Sequence, residues 1–299
     1  MGISASWRNN GDYYAGIIAL RARGFFKPRR IVLFQAPYFD FQQAQNFLLT
    51  LSFMPLREEF ERDGNWLFQR RSWLPLFLYP FVIAVIYFYP AIAYGPLTSP
   101  FWGLLSLAVS LTGLGVRALT VGFTPKGTSG RNTGQQVAET LNETGIYSVV
   151  RHPLYLGNFL MWMGIMMFPG VWWFATIGAL AYWLYYERIM YAEEAFLRHT
   201  HAARYEAWAS RTPAFLPRLG GWVPSRLSFC PRNVLKREYN GLFAAVTSFV
   251  LLNAIAHLFV DGRFAIDSFW QVVFAVNAVV FVVLRTLKKQ TKILDTEGR

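Results

Sequence analysis

The sequence has a single cysteine, Cys230, so no intramolecular disulfide can form, and a lone thiol between Phe229 and Pro231 gives no support to thiol catalysis. Charge is scarce as well: 15% of the 299 residues are charged against 54% hydrophobic, a balance outside that of soluble domains. Acidic residues are the rarer sign, 17 against 29 Lys and Arg, for a net charge of +12. A dinucleotide fingerprint is missing too. The glycines at 127, 130 and 134 follow no strand and stand in no β-α-β pattern, which argues against a Rossmann cofactor domain. The first 53 residues hold no apolar stretch long enough for a signal peptide, and the chain shows no internal repeat.

What fills the chain instead is apolar runs. Residues 73 to 94 carry no charge over a length that can cross a hydrocarbon core of about 30 Å at about 1.5 Å per residue. Five more runs follow, at about 100 to 121, 154 to 168, 171 to 186, 241 to 260 and 268 to 284. The pattern predicts an all-α, polytopic membrane bundle of about six transmembrane helices. Pro169-Gly170 reads as the tight turn of a helical hairpin, whose short arms reach spanning length by extending into polar sequence on one side.

Lys and Arg gather in residues 8 to 71, 117 to 151, 188 to 237 and 285 to 298, whereas the opposite connections hold only Arg263. This positive-inside pattern predicts that both termini and the segment around Arg151 face the cytoplasm. The basic charge then reports topology and attraction to anionic lipid headgroups, not nucleic-acid binding.

Four regions follow. Residues 1–53, with scattered Arg, Gly and aromatics and no clear period, read as an atypical and poorly ordered extension, with Met54 as the expected initiation site. Residues 54–123 hold an amphipathic start and two spans, 124–217 a core with the hairpin, and 218–299 a basic connection and two last spans. After the fourth span the helix becomes charged and continues in water until Thr212-Pro213 stops it.

Chemistry concentrates between Leu141 and Gly157. Pro153 suits the first position of a helix, which puts His152 at a helix mouth whose free N–H groups and dipole favour a carboxylate or phosphate. Gly157 and Gly164 share one face and permit close approach of a cofactor or of another helix. Arg151 and His152 read equally as interfacial anchors. Farther on, Glu187, Tyr191, Glu194 and Arg198 share a helix face, so Glu194 has an i, i+4 partner in Arg198 as well as a site reading. Glu193 differs: its helical neighbours are Met190, Leu197 and Tyr186, and a carboxylate on an apolar face calls for a cation. Arg117 reads as a snorkelling side chain or as a site residue, His257 as a satisfied polar residue, and His199 with His201 as too poorly aligned for a metal.

Taken together, Thr144-Gly145-Ile146-Tyr147, Arg151-His152-Pro153-Leu154-Tyr155-Leu156-Gly157, the hairpin, Glu193-Glu194, Tyr205 and Arg211-Thr212-Pro213 with Leu216-Pro217 resemble the integral-membrane methyltransferases related to isoprenylcysteine carboxyl methyltransferase and phospholipid N-methyltransferase. The resemblance covers residues 141 to 217. It implies an S-adenosylmethionine-dependent methyltransferase acting on a lipid or lipidated acceptor, with the active site facing the cytoplasm. It further implies Tyr147, His152, Pro153, Tyr155, Leu156 and Gly157 along the cofactor, Glu193 and Glu194 closing its pocket, and Arg211 with Arg151 orienting the acceptor. The last two spans lie outside it. Two other readings stay open: an NADPH-dependent membrane sterol reductase, which the Arg-His-Pro segment alone allows, and a non-enzymatic membrane scaffold or transporter half.

Overall fold

The computed structural model describes residues 3–10, 13–20, 55–125, 138, 140–296 and 298. Met54 and the loop glycines at 127, 130 and 134 lie outside the described residues. The chain divides into two compact units, Met1–Leu56 and Arg57–Arg299. In the first, strands β1 (Ile3–Asn10) and β2 (Tyr13–Leu20) pair antiparallel, with Ile3 opposite Leu20 and Asn10 opposite Tyr13. This hairpin departs from an all-α reading of the whole chain. Its signal was the Gly11-Asp12 pair between two runs of strand length, a spacing suited to a two-residue connection.

Among its described residues, the regular structure of the second unit is helical apart from an isolated bridge between Gly145 and Val223. Helix α1 (Leu56–Arg70) is amphipathic and starts with Glu58 and Glu59, which suit its positive end. It lies on a later helix through Phe60, which meets Tyr191 edge-on at 5.8 Å and carries Arg188 4.6 Å above its ring.

The run read as the first span is divided. A 3₁₀ turn at Leu74–Phe77 leads into α2 (Leu78–Phe88), and α3 (Pro90–Thr98) begins after a break at Tyr89. Pro90 supplies the reason: its ring disfavours helical geometry at the preceding residue, and Tyr89 adopts φ −125°, ψ 49°.

Helix α4 (Pro100–Phe123) is capped by Ser99, whose hydroxyl accepts from Trp102 N–H at 3.3 Å. It packs closely on α5 (Pro153–Met167), where a Cβ on Gly113 would come 2.4 Å from the Gly157 carbonyl oxygen. Only glycine allows the two backbones this approach. The hairpin turn is as read: Gly170 takes φ 71° and donates to the Met167 carbonyl at 2.8 Å. Helix α6 (Trp172–Ala209) extends far beyond its apolar half, as expected, but breaks at Ala202 (φ 42°, ψ −120°). Helices α7 (Pro231–Val260) and α8 (Ser268–Gln290) complete the unit.

Phe168, Phe249 and Trp270 centre the main core, with Phe249 and Trp270 stacked at 5.5 Å. Among the described residues, three helices, α4, α7 and α8, are long and apolar enough to cross a membrane alone; Leu56–Arg70 with Leu74–Phe88, bent by 84°, would make a fourth. Helix α5 has 15 residues, fewer than the roughly 20 that a bilayer core requires.

Candidate active site

The segment before α5 has little regular structure of its own and is held by a distant part of the chain. Gly145, at φ 63°, opens a 3₁₀ turn over Ile146–Ser148, and Trp208 Nε1 donates to the Tyr147 carbonyl at 2.9 Å. Arg151 N–H donates to Pro213 O at 2.9 Å, His152 N–H to Ala214 O at 3.1 Å, and Arg218 N–H to Val149 O at 2.9 Å. The Arg-Thr-Pro tail is thereby laid alongside the Arg-His-Pro segment. Pro153 starts α5 as expected, but the helix mouth is less open than a row of free amides: Tyr155 and Leu156 N–H both turn onto the His152 carbonyl at 3.1 Å.

His152 is buried, with a carboxylate near each ring nitrogen: Nε2 is 2.8 Å from Glu194 Oε1 and Nδ1 is 3.5 Å from Glu193 Oε2. Glu194 is fully engaged. Its Oε1 also lies 2.9 Å from Arg151 Nε, a charge contact without hydrogen-bond alignment, and its Oε2 accepts from Tyr205 OH at 2.7 Å. An unbroken helix would carry Tyr205 roughly 16 Å past Glu194. The break at Ala202 turns the chain back and closes that bond. The same reversal pairs Arg198 with Glu206 at 2.5 Å, so Arg198 is not the partner of Glu194 that helix spacing offered.

Glu193 meets His152 and Tyr155, and its side chain is 32% exposed against 19% for Glu194. The Tyr155 ring lies between His152, with which it stacks at 5.7 Å, and Tyr186 at 4.8 Å. Leu156 packs beside that aromatic cluster, and Tyr147 beside Leu141, Tyr205 and Trp208. Gly157 faces α4: a Cβ there would lie 2.5 Å from Arg117 Cγ. Of the two partners left open for that glycine, a helix occupies the place.

Arg151 and Arg211 line a second part of the site. With Arg218, Thr212, Pro213 and Leu216 they border an open cleft of about 420 Å³. Arg151 Nη1 is anchored on Ala209 O at 2.9 Å. Arg211 is 65% exposed and 3.5 Å from Glu143 Oε2, which leaves it able to swing toward a ligand. Arg218 was not singled out in the sequence, where one Arg among many carries no signal of its own.

Arg117 does not snorkel. It forms a forked pair with the buried Glu238 and bonds Asn158, partners that sequence reasoning missed. The available signal was that Asn158 and Glu238 stand within or beside apolar runs, where a polar group calls for a partner. At the other end of the bundle His257 contacts Asp261 and Asp267, as a satisfied polar residue should. Among the described residues, no group of three or more His, Cys, Asp or Glu could hold a metal ion.

Burial disfavours charge on His152, but its hydrogen bonds and charge contacts with Glu193 and Glu194 outweigh that and raise its pKa. Burial likewise pushes both glutamates up, and the contacts with His152 outweigh it and bring them below the ordinary carboxylate value. Stabilisation from His152 is complete below its ordinary 6.5 and is lost as pH rises through the raised value. Stabilisation from the glutamates is complete above 4.5 and is lost as pH falls through the depressed values. Thermal unfolding in detergent should therefore occur at its highest temperature between about pH 4.5 and 6.5. His152→Gln should flatten the alkaline side of that profile; an unchanged alkaline decline would assign it to another group.

The phospholipid methyltransferase family model matches residues 104–204, from α4 through most of α6. The nickel-cobalt-cadmium resistance protein NccN of Alcaligenes xylosoxydans xylosoxydans is 37% identical over 108 residues, 36% of this chain and 48% of that protein. The cobalt-zinc-cadmium resistance protein CzcN of Cupriavidus metallidurans is 33% identical over 156 residues, 49% of this chain and 69% of that protein. The protein-S-isoprenylcysteine O-methyltransferase of Schizosaccharomyces pombe is 32% identical over 73 residues, 24% of this chain and 31% of that protein. The chain thus spans about half of the first relative, two thirds of the second and a third of the third. No solved structure matches it.

Proposed function

Because the chain belongs to the phospholipid methyltransferase family, we propose that it transfers a methyl group from S-adenosylmethionine to a lipid or lipidated acceptor at the membrane surface. The observation that carries this reading is the unequal engagement of two adjacent carboxylates. Glu194 is consumed by Arg151, His152 and Tyr205, whereas Glu193, which meets His152 and Tyr155, is the more exposed of the two at 32% against 19% and lies beside an aromatic face.

That more exposed carboxylate and the Tyr155 ring suit a ligand with both a sulfonium and an ammonium charge. When bound, S-adenosylmethionine supplies an electrophilic methyl group on positively charged sulfur. Methyl transfer is an in-line displacement, so the protein contributes chiefly alignment and exclusion of water. The His152–Glu194–Arg151 cluster fixes the start of α5, and Glu193 and Tyr155 hold the donor against it. Arg211, with Arg151 and Arg218, orients an anionic acceptor group in the adjoining cleft, and the exposed Leu216 at its border suits an apolar chain.

We place this site on the cytoplasmic face of a six-span bundle with both termini on that side. In support, the end of α4 meets the start of α7 through Cys230 N–H and Gly122 O at 2.9 Å, and Lys288 Nζ near the end of α8 meets Lys236 O at 3.0 Å. The end of α4 is thus gathered with the basic start of α7 and the basic end of α8, as a cytoplasmic face calls for.

Binding of S-adenosylmethionine, but not NADPH, to the purified protein in detergent, together with radiolabelled methyl transfer into membrane lipid, tests the proposal. Failure to bind S-adenosylmethionine rejects it. Arg211→Gln should raise the acceptor KM by roughly 5- to 10-fold with donor affinity unchanged. A loss of donor affinity instead would move Arg211 into the donor pocket.

A further inference from the structure

We propose that Glu238, on α7 and beyond the region the family model matches, is a positioning residue for the methyl-donor site, acting through Arg117 and Asn158 on the first turns of α5. The inference rests on the methyl-transfer reading and concerns what holds that site in shape.

Glu238 is 5% exposed. Its Oε2 lies 2.8 Å from Arg117 Nε and its Oε1 3.0 Å from Nη2, a two-point contact that fixes the guanidinium plane. The remaining terminal nitrogen, Nη1, donates to Asn158 Oδ1 at 2.6 Å. Asn158 Nδ2 in turn donates to Tyr186 OH at 3.2 Å. Tyr186 stacks on Tyr182 at 4.2 Å and lies 4.8 Å from Tyr155, whose ring stacks on His152. A contiguous set of contacts therefore runs from α7 through α4 and α5 to the His152–Glu193 pair.

The geometry makes this more than a tether between α4 and α7. The Arg117 side chain crosses α5 over Gly157, where an added Cβ would lie 2.5 Å from its Cγ. Because the guanidinium is rigid, the position of Glu238 sets where Nη1 points, and so where Asn158 stands. Arg117 and Tyr186 both hold the Asn158 side chain of α5, within two turns of His152. An arginine in an apolar run is costly unless neutralised, and Glu238 neutralises it. Helix α7, outside the family resemblance, thereby acquires a role.

The test is a double-mutant cycle on the full chain in detergent, with Glu238→Gln, Asn158→Ala and the pair, reading donor dissociation constant, acceptor KM and unfolding temperature. We expect Glu238→Gln to weaken S-adenosylmethionine binding by about 10-fold and leave acceptor KM within about 2-fold. The double variant should bind the donor no worse than the weaker single variant. Unchanged donor binding, or losses that multiply, overturns the proposal; so does an acceptor KM that rises with the donor constant. Should Glu238→Gln fail to fold, Glu238→Asp retains the charge but withdraws it by one methylene, and the same cycle applies. A wild-type protein that does not bind S-adenosylmethionine refutes the methyl-transfer reading, while the network is still judged by the cycle in unfolding temperature, where additive shifts overturn it.

Discussion

Replacement of Glu193 by Gln is expected to weaken S-adenosylmethionine binding by about 10- to 100-fold, the loss of one charge-assisted contact to a cationic ligand. Its effect on folding should be small. The side chain is a third exposed, its contact with His152 Nδ1 is long at 3.5 Å, and its bond to Tyr155 can be kept by the Gln oxygen. Gln retains an acceptor oxygen and the volume of the side chain, so the change removes charge and little else. Equilibrium binding and thermal unfolding of the same preparation separate the two effects. Unchanged affinity in a folded variant would show that Glu193 does not meet the donor.

Replacement of Glu194 by Gln should do the opposite, lowering stability by roughly 2–3 kcal/mol while reducing donor affinity less than the Glu193 change does. Three groups lean on this carboxylate: Arg151 and His152 through charge, and Tyr205 through a 2.7 Å hydrogen bond. Removing the charge leaves a nearly buried His152 and a mostly buried Arg151 short of compensation, and a cation so placed is expensive. Denaturant unfolding in detergent measures the loss. A Glu194→Gln protein as stable as wild type, or one that binds the donor more weakly than Glu193→Gln does, would show that the roles of the two glutamates are exchanged.

The two carboxylates also show how far sequence reasoning reaches. Placing Glu193 on an apolar helix face and Glu194 on a polar one followed from the 3.6-residue period, yet the exposures run the other way, 32% for Glu193 and 19% for Glu194. The partner assigned to Glu194 was wrong, because helix spacing assumes a straight helix. The reversal at Ala202 exchanges the local candidate Arg198 for Tyr205, while Arg151 and His152 come from forty residues upstream. Arg117 failed in a similar way. Its partner Glu238 is 121 positions away, beyond any periodicity, and only the packing of α7 on α4 brings them together.

By itself the sequence determined the helical, membrane-type character of the chain, the hairpin turn at Pro169-Gly170, the start of α5 at Pro153 and the cluster of site candidates from Tyr147 to Glu194. These follow from hydropathy and local backbone chemistry, which depend on a few neighbouring residues. Tertiary structure decided what those residues meet: that Glu194 contacts Arg151, His152 and Tyr205 while Glu193 is the more exposed, that Gly157 makes room for an arginine, and that the Arg-Thr-Pro tail lies along the Arg-His-Pro segment. It also divided the first apolar run at Tyr89 and paired residues 3–10 with 13–20. Contacts of that kind join groups far apart in the chain, and their energies depend on burial and orientation, which no local pattern of residues records.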